Sequence, residues 1–317
     1  MRRNLIGFEY IKTHTPMSNT LNCLSFKLKN WIVSIAVRFP KEVVYIRYFF
    51  RFGRFPNLHH PRDLNEKILY LKLYSDTSQW TRLADKYAVR EYVASCGLES
   101  ILIPLYGVWE HASEVQFDDL PEKFMLKANN GDGKGTNILV DKSNMTETYR
   151  QHLYSKMEEW MSQKNIGALS AEPHYKNIPP RIIAEKVLQK NEDEDTIIDY
   201  KIWCFNGRPY SILVCFNRHN SMTTLGCYDL NWSFHPENMC KTRHHLIANK
   251  PIRNPKLLEK MLSISSVLSQ PFPEVRVDLY EAEDKVWFGE LTFTSLGGMM
   301  NYYTPEYLKE MGKQISL

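Results

Sequence analysis

Two runs near the C-terminus alternate apolar and polar residues: Val275-Arg276-Val277-Asp278-Leu279-Tyr280 and Trp287-Phe288-Gly289-Glu290-Leu291-Thr292-Phe293. A strand turns successive side chains to opposite faces. Val275, Val277 and Leu279 therefore share one face, and Arg276, Asp278 and Tyr280 share the other. On the second run Phe288, Glu290 and Thr292 are expected on one face. If Glu283, Asp284 and Lys285 form a three-residue loop, Asp278 falls opposite Glu290 and Arg276 opposite Thr292. Carboxylates facing each other across strands are about 5 Å apart and repel unless something neutralises them. Two readings are open. A hard cation such as Mg²⁺ takes one or two carboxylates and completes its shell with phosphate oxygens. Alternatively, Arg276 bridges the two carboxylates and no metal is needed.

A second constellation lies in Phe124-Met125-Leu126-Lys127-Ala128-Asn129-Asn130-Gly131-Asp132-Gly133-Lys134-Gly135, followed by an apolar run over residues 136–140. Gly131, Gly133 and Gly135 give up packing and gain freedom at positive φ. Such a loop is either a flexible hairpin turn or a cradle of backbone N–H groups around an anion. It is not a Walker loop, because no G-x-x-x-x-G-K-[ST] string is present. As a strand–loop–strand it would form a flap over phosphates, with Lys127 ending the incoming strand as a point charge. Glu185 and Lys186 interrupt the apolar run Arg181–Leu188, and Lys201 sits in the next strand. These three polar residues are either a solvent face or part of a site. An adenine would need apolar walls such as Ile183, Val187 and Leu188.

The elements that must hold these groups alternate along the chain. Helical spacing covers 24–52 with a break at Pro40, then 64–76, 82–97, 142–165 and 255–269. Strand-like runs occupy 101–109, 122–128, 136–140 and 181–188. Residues 198–217 form a hairpin turned at Asn206-Gly207, and 275–293 form another. Helices before and between antiparallel hairpins predict an α+β fold.

The chain has 317 residues, 43% of them hydrophobic, which is enough for real cores. Its charge is uneven. Arg2, Arg3, Lys12, Lys27, Lys29, Arg38, Lys41, Arg47, Arg51, Arg54 and Arg62 face only Glu9 and Glu42 within the first 62 residues. A basic arm on a mildly acidic body suits an anionic partner. Residues 24–39 are apolar and basic around Trp31, as in segments that lie in a membrane interface or in an ordinary packed helix. No transmembrane helix or signal peptide is expected. The six scattered cysteines read as reduced thiols of a cytoplasmic protein. His174, His219, His244 and His245 read as surface residues and form no triad or zinc pattern.

Taken in order, "LNEKILYLKLY", "LADKYAVREYV", "FMLK" with its glycine loop, "RIIAEKVL", "DYKIWCFNG" and "VRVDLY…GELTFT" resemble the ATP-grasp superfamily. More narrowly they resemble its TupA-like branch, linked to teichuronopeptide and other surface polysaccharides. The resemblance runs from about Phe50 to Pro305. It implies two α+β subdomains gripping ATP between antiparallel sheets, after a basic helical N-terminal region. The implied divisions are a basic arm over 1–62, a pre-ATP-grasp region over 63–120 and the ATP-grasp domain over 121–317. It implies an ATP-dependent carboxylate–amine ligase working through an acyl phosphate, joining an amino acid or amine to a uronic-acid carboxylate.

By the same resemblance, Lys86, Lys127 and Lys201 belong to the nucleotide site. Gly131, Gly133 and Gly135 form the flap, and Glu185, Lys186 and Leu188 line the adenine segment. Arg276 and Lys127 are the expected catalytic cations. Asp278, Glu290 and Thr292 are the expected Mg²⁺ ligands, Thr292 standing where the superfamily usually has Asn. Asn130 stands where the flap commonly has His. The acceptor region is expected near 295–307, where Gly297 and Gly298 allow close approach.

Two other classes stay in view. Asp193-Glu194-Asp195 is a D-x-D string of the kind that holds a metal and a nucleotide sugar in a glycosyltransferase. A non-catalytic protein docked through its basic arm, peripherally at the inner face of a membrane through residues 24–52, is the third. No nucleic-acid partner is expected.

Overall fold

The computed structural model describes residues 28, 31–131, 135–191, 194, 196–219 and 222–317. Gly133 of the flap, Asp193 and Asp195 of the D-x-D string, and most of the basic arm before Trp31 lie outside the described residues.

Helix α1 covers 31–38 and α2 covers Pro40–Phe52. The break between them falls at Phe39, because Pro40 fits the first turn of α2, where its missing N–H costs nothing. Gly53, at φ 68°, closes α2 by donating to Phe49 O. Helix α3 (Leu64–Tyr74) is capped by Asp63, which accepts from Glu66 N at 2.9 Å. The expected helix over 82–97 is instead two helices, α4 (Ser78–Ala84) and α5 (Val89–Ser95). Asp85 accepts from Tyr87 N at 2.8 Å and from Asn129 Nδ2 at 2.9 Å, which pulls the chain out of helical register. The Lys86 N–H then reaches Asn129 O, so the break ties Lys86 to the glycine loop.

Strands β1 (Leu105–Trp109), β2 (Lys123–Ala128), β3 (Asn137–Asp141) and β4 (Ile182–Glu185) form an antiparallel sheet in the order β1-β4-β2-β3. Helix α6 (Glu147–Ser162) covers it, burying Leu153, Met157 and Trp160 against Phe124, Leu126 and Val140. The short helix α7 (Pro173–Lys176) follows. His174 on α7 is buried at 2% exposure, correcting its reading as a surface residue, and burial lowers its pKa to about 3.

The second sheet has the order β10-β9-β5-β6-β7-β8, with β5 Asp199–Phe205, β6 Arg208–His219, β7 Met222–Tyr228, β8 His245–Ile247, β9 Glu274–Ala282 and β10 Lys285–Thr292. All its pairs are antiparallel except β7–β8. Asn206 and Gly207, both at positive φ, turn the β5–β6 hairpin as expected. One face packs Ile202, Val214, Val275, Val277 and Leu279 under α8 (Leu258–Ser269). The other packs Trp203, Phe205, Leu213 and Leu225 under α3 and α9 (Pro305–Lys313). By the period of two, the residues that follow this second face beyond the helices are Asp199, Lys201, Arg276 and Asp278. The same face is thus apolar core at one end and charged cleft at the other.

The β9–β10 hairpin reaches its register by a route the sequence pattern did not show. Its loop is two residues, Glu283 and Asp284, both at positive φ, with Ala282 paired to Lys285. A bulge at Gly289 then adds one residue on β10, and Asp278 pairs with Glu290 and Arg276 with Thr292. The bulge also splits the expected face: Phe288 packs into the α8 core, whereas Glu290 meets Arg276 on the opposite side. A Cβ at Gly289 would stand 2.9 Å from Asp278 O and 3.1 Å from the Tyr280 ring. Gly289→Ala is therefore expected to cost about 1–3 kcal/mol in denaturant unfolding. The same variant should lower any turnover, by moving Glu290 relative to Asp278.

Candidate active site

A cleft of about 1030 Å³ lies between the two sheets and the N-terminal helices. Lys86, Lys127, Gly131, Glu185, Lys201, Arg276, Asp278, Glu290 and Thr292 all line it. Nine of the candidate residues, drawn from six separate stretches of sequence, thus face one space.

At its floor Arg276 is almost completely enclosed. Its Nε and one terminal nitrogen donate to the two oxygens of Asp278 at 2.6 and 2.7 Å. The other terminal nitrogen donates to Ser295 Oγ at 2.6 Å. Weaker contacts reach Thr292 Oγ1 at 3.1 Å and Glu290 Oε1 at 3.4 Å. A guanidinium fork suits this planar, two-pronged pairing. Lys201 donates to Asp278 and, at 2.8 Å, to Asp199. Burial works against the Lys201 charge, but Asp199 and Asp278 more than offset it and hold its pKa above the usual value.

Glu290 differs from Asp278. Its side chain remains 43% exposed, while that of Asp278 is 2% exposed. Thr292 donates its hydroxyl to Glu290 Oε1 at 3.0 Å and aims the carboxylate into the cleft. Burial pushes the Glu290 pKa up, but Lys201, Lys86 and Arg276 outweigh it and bring it to about 2. A carboxylate so ionised and so open is a hard oxygen donor. In this structure Arg276 contacts both carboxylates, and both Asp278 oxygens already accept from Arg276 and Lys201, so a Mg²⁺ ion would rely on the open oxygens of Glu290 and the remaining lone pairs of Asp278. Among the described residues no cluster of three or more His, Cys, Asp or Glu forms a self-sufficient metal site.

Above the floor, Lys127 on β2 pairs with Glu185 on β4. Lys86 donates to Gly131 O at the base of the flap. Gly131 packs so tightly that a Cβ there would meet Thr136 Oγ1 at 2.2 Å. Gly135 adopts φ 88°, and its carbonyl accepts from Trp160 Nε1 at 2.8 Å. Both ends of the loop are thus anchored. Asn129 stitches it to the segment entering β4, accepting from Arg181 N at 2.6 Å and donating to Pro179 O at 2.9 Å.

Lys186 and Leu188 are not among the residues lining the cleft. Lys186 pairs with Glu283 in the β9–β10 turn, and Leu188 is buried with Ile103, Ala282 and Trp287. These contacts join the link after β4 to the second sheet.

Several cleft residues went unnoticed in the sequence. Asp199 is buried, accepts from Arg218 at 2.5 Å and has one oxygen, Oδ1, without a hydrogen-bond partner. Its position two before Lys201 was a legible signal, since the period of two puts both on one face. Arg218 had no such signal. The irregularity between Phe216 and His219, with Asn217 at φ 48°, turns Arg218 toward Asp199, against the simple alternation.

The sequence model of the TupA-like ATP-grasp family matches residues 66–316. Among solved structures, the D-alanine–D-alanine ligase of Bacillus anthracis is 14% identical, with 73% of this chain and 63% of that chain covered and a TM-score of 0.44. The D-alanine–D-alanine ligase of Helicobacter pylori is 11% identical, over 80% of this chain and 67% of that chain, with a TM-score of 0.42. An ADP complex of N5-carboxyaminoimidazole ribonucleotide synthetase is 10% identical over 72% of this chain and 50% of that one, with a TM-score of 0.40. The chain spans about three fifths of the length of the Bacillus anthracis ligase. No curated relative matches the chain.

Proposed function

The chain belongs to the TupA-like ATP-grasp family, and from that premise we propose that it is an ATP-dependent ligase that activates a carboxylate and transfers it to an amine. The observation that carries this reading is the convergence of Lys86, Lys127, Lys201, Arg276, Asp278 and Glu290 on one cleft beneath a glycine loop.

Phosphoryl transfer asks a protein for positioning and charge neutralisation more than for covalent chemistry. Lys86, bonded to Gly131 O, and Lys127, paired with Glu185, would bind phosphate oxygens. When bound, Mg²⁺ would neutralise the phosphates, with Glu290 as its open ligand and Asp278 behind it. Thr292 donates to Glu290 and would orient that carboxylate beside the metal. Arg276 would stabilise charge on the transferred phosphoryl group. A substrate carboxylate oxygen bonds to the γ-phosphorus, and the bond to the β-phosphate oxygen breaks to release ADP. The amine nitrogen then attacks the acyl carbon, phosphate leaves and the amine proton is lost. No protein nucleophile is required. The described cysteines are free thiols, and burial pushes Cys204 and Cys227 up to about 12 and about 11.

A uronic-acid sugar as the carboxylate and an amino acid as the amine follow from the family's link to surface polysaccharides. The test is an ADP-release screen of amino acids against uronic acids. ADP release that needs both substrates, and falls about 10²–10³-fold in Lys127→Ala, would support the ligase. ADP release by no pair, with nucleotide binding indifferent to Lys127, would sink it.

The N-terminal helices support peripheral contact with an anionic membrane. Trp31, Ile46 and Phe50 are 62%, 53% and 82% exposed, amid Arg38, Lys41 and Arg47. No helix among the described residues is long and apolar enough to cross a membrane. The full chain should sediment with phosphatidylglycerol vesicles and be released by salt, and Trp31→Ala/Phe50→Ala should weaken the binding. Equal recovery of both proteins in the supernatant would refute the contact.

A further inference from the structure

At one end of the cleft two arginines have no carboxylate partner among the described residues, although Glu172 also lines the cleft there, and nothing in the nucleotide reading uses them. Arg47, Phe50 and Arg51 line the cleft from α2, which belongs to the basic arm and not to either sheet. At 100° per residue, α2 carries three stripes. Val44 and Tyr48 face the core, Ile46 and Phe49 face outward, Phe50 stands exposed at the edge of the cleft, and Arg47 and Arg51 lie between it and the core stripe, one turn apart.

Both guanidiniums are held in place by neutral oxygens. Arg47 donates to Leu169 O and, at 3.2 Å, to Ser170 Oγ. Arg51 donates to Asn301 Oδ1 at 2.7 Å. Elsewhere in the cleft Lys127, Lys201, Arg218 and Arg276 each pair with a carboxylate, while Arg90 donates to Ile103 O and Lys86 to Gly131 O. Among the described residues neither Arg47 nor Arg51 makes such a pair. Like charges are packed here instead. Burial and then the neighbouring Arg47 lower the Arg51 pKa. Lys72, buried below, is lowered to about 8, chiefly by burial, with Glu172 raising it and Arg47 lowering it further.

The segment Ser295–Asn301 connects this end to the reacting centre. Ser295 Oγ accepts from Arg276, the Gly297 carbonyl accepts from Lys72 at 2.7 Å, and Asn301 accepts from Arg51. Leu296, Gly297 and Gly298 are all left-handed, with φ of 47°, 64° and 74°. That curl seats the chain on α3, where a Cβ at Gly298 would come within 3.0 Å of Leu69. A molecule lying along this segment would have one end at Arg276 and the other at Arg47 and Arg51.

We propose that Arg47 and Arg51 form an anion subsite that holds a second anionic group, a phosphate ester or a second carboxylate, of the acid substrate. The inference rests on the ligase reading for its biological meaning, and it narrows the substrate to acids carrying two separated negative groups. Two oriented guanidiniums offer the paired N–H donors that tetrahedral or planar oxyanions take.

The test uses the full chain saturated with AMP-PNP and Mg²⁺, titrated calorimetrically with inorganic phosphate and, separately, with malonate. Saturable binding of either anion is expected. Arg47→Gln/Arg51→Gln should weaken it by roughly tenfold or more, with AMP-PNP affinity unchanged, and Arg51→Lys alone should retain part of it. Tighter phosphate than malonate would favour a phosphate ester, and the reverse a dicarboxylate. If the nucleotide-saturated protein takes neither anion saturably, or the double variant binds them as tightly as the native chain, the subsite is refuted. If AMP-PNP fails to bind at all, the ligase reading falls. The same anion titrations on the nucleotide-free protein then decide the subsite by the same criteria. Circular dichroism melting separates loss of the subsite from loss of the fold.

Discussion

Glu290→Gln is expected to reduce ADP formation by about 10²–10³-fold or more while lowering the melting temperature only modestly and leaving the fold intact. The asymmetry follows from the environment of this side chain. It is 43% exposed, and its neighbours Thr292 and Arg276 can donate equally well to an amide oxygen. Glutamine keeps the volume and the hydrogen bonds and removes only the charge. Because the Glu290 pKa sits at about 2, below its unfolded value near 4.5, the group is ionised across the functional pH range. Its contribution to stability is present above about pH 4.5 and is lost as pH falls toward 2. An ADP-release assay beside a thermal melt at pH 7.5 checks both halves. Full activity in the variant would remove Glu290 from the chemistry.

Arg276→Ala should fail in both respects. Its guanidinium contacts Asp278, Glu290, Thr292 and Ser295 at once. Without it Lys201 would be the remaining cation on Asp278 while also shared, with Arg218, by Asp199, and both aspartates are buried. Breaking a buried charge pair from one side costs about 3–5 kcal/mol. Turnover should drop to background even where the protein remains folded, because charge on the transferred phosphoryl group loses its fixed partner. Arg276→Lys should recover part of the stability and little of the activity, since an ammonium cannot make the bidentate contact with Asp278. Urea unfolding and single-turnover ADP formation measure the two effects separately. A stability loss under about 1 kcal/mol would mean that the buried network is not held by Arg276.

Much of this site was legible because strand alternation is a strict rule. Arg276 and Asp278 on one face, Val275, Val277 and Leu279 on the other, and the Asn206-Gly207 turn all follow from residue type and period alone. The pairing of Asp278 with Glu290 was legible for a less secure reason. A three-residue loop without a bulge and a two-residue loop with one give the same register, and only the folded hairpin distinguishes them. The price was Phe288, which alternation put beside Glu290 and the bulge puts in the opposite core.

What escaped the sequence depended on contacts distant in the chain. The helix expected over 82–97 breaks because Asp85 meets Asn129, 44 residues away. Arg218 joins Asp199 only because the strand is irregular at Asn217. The role of α2 was read as a question of charge and membranes, whereas its arginines also border the cleft, through bonds to residues 169–170 and 301. No local pattern encodes that placement.

The central claim is that Asp278 and Glu290, set side by side by the Gly289 bulge, hold magnesium against nucleotide phosphates. Calorimetric titration of AMP-PNP, with Mg²⁺ and with EDTA, into the native chain and Glu290→Gln tests it most directly. The prediction is that Mg²⁺ tightens binding to the native chain by about tenfold or more and to the variant hardly at all. Binding that ignores both the metal and the substitution would contradict it.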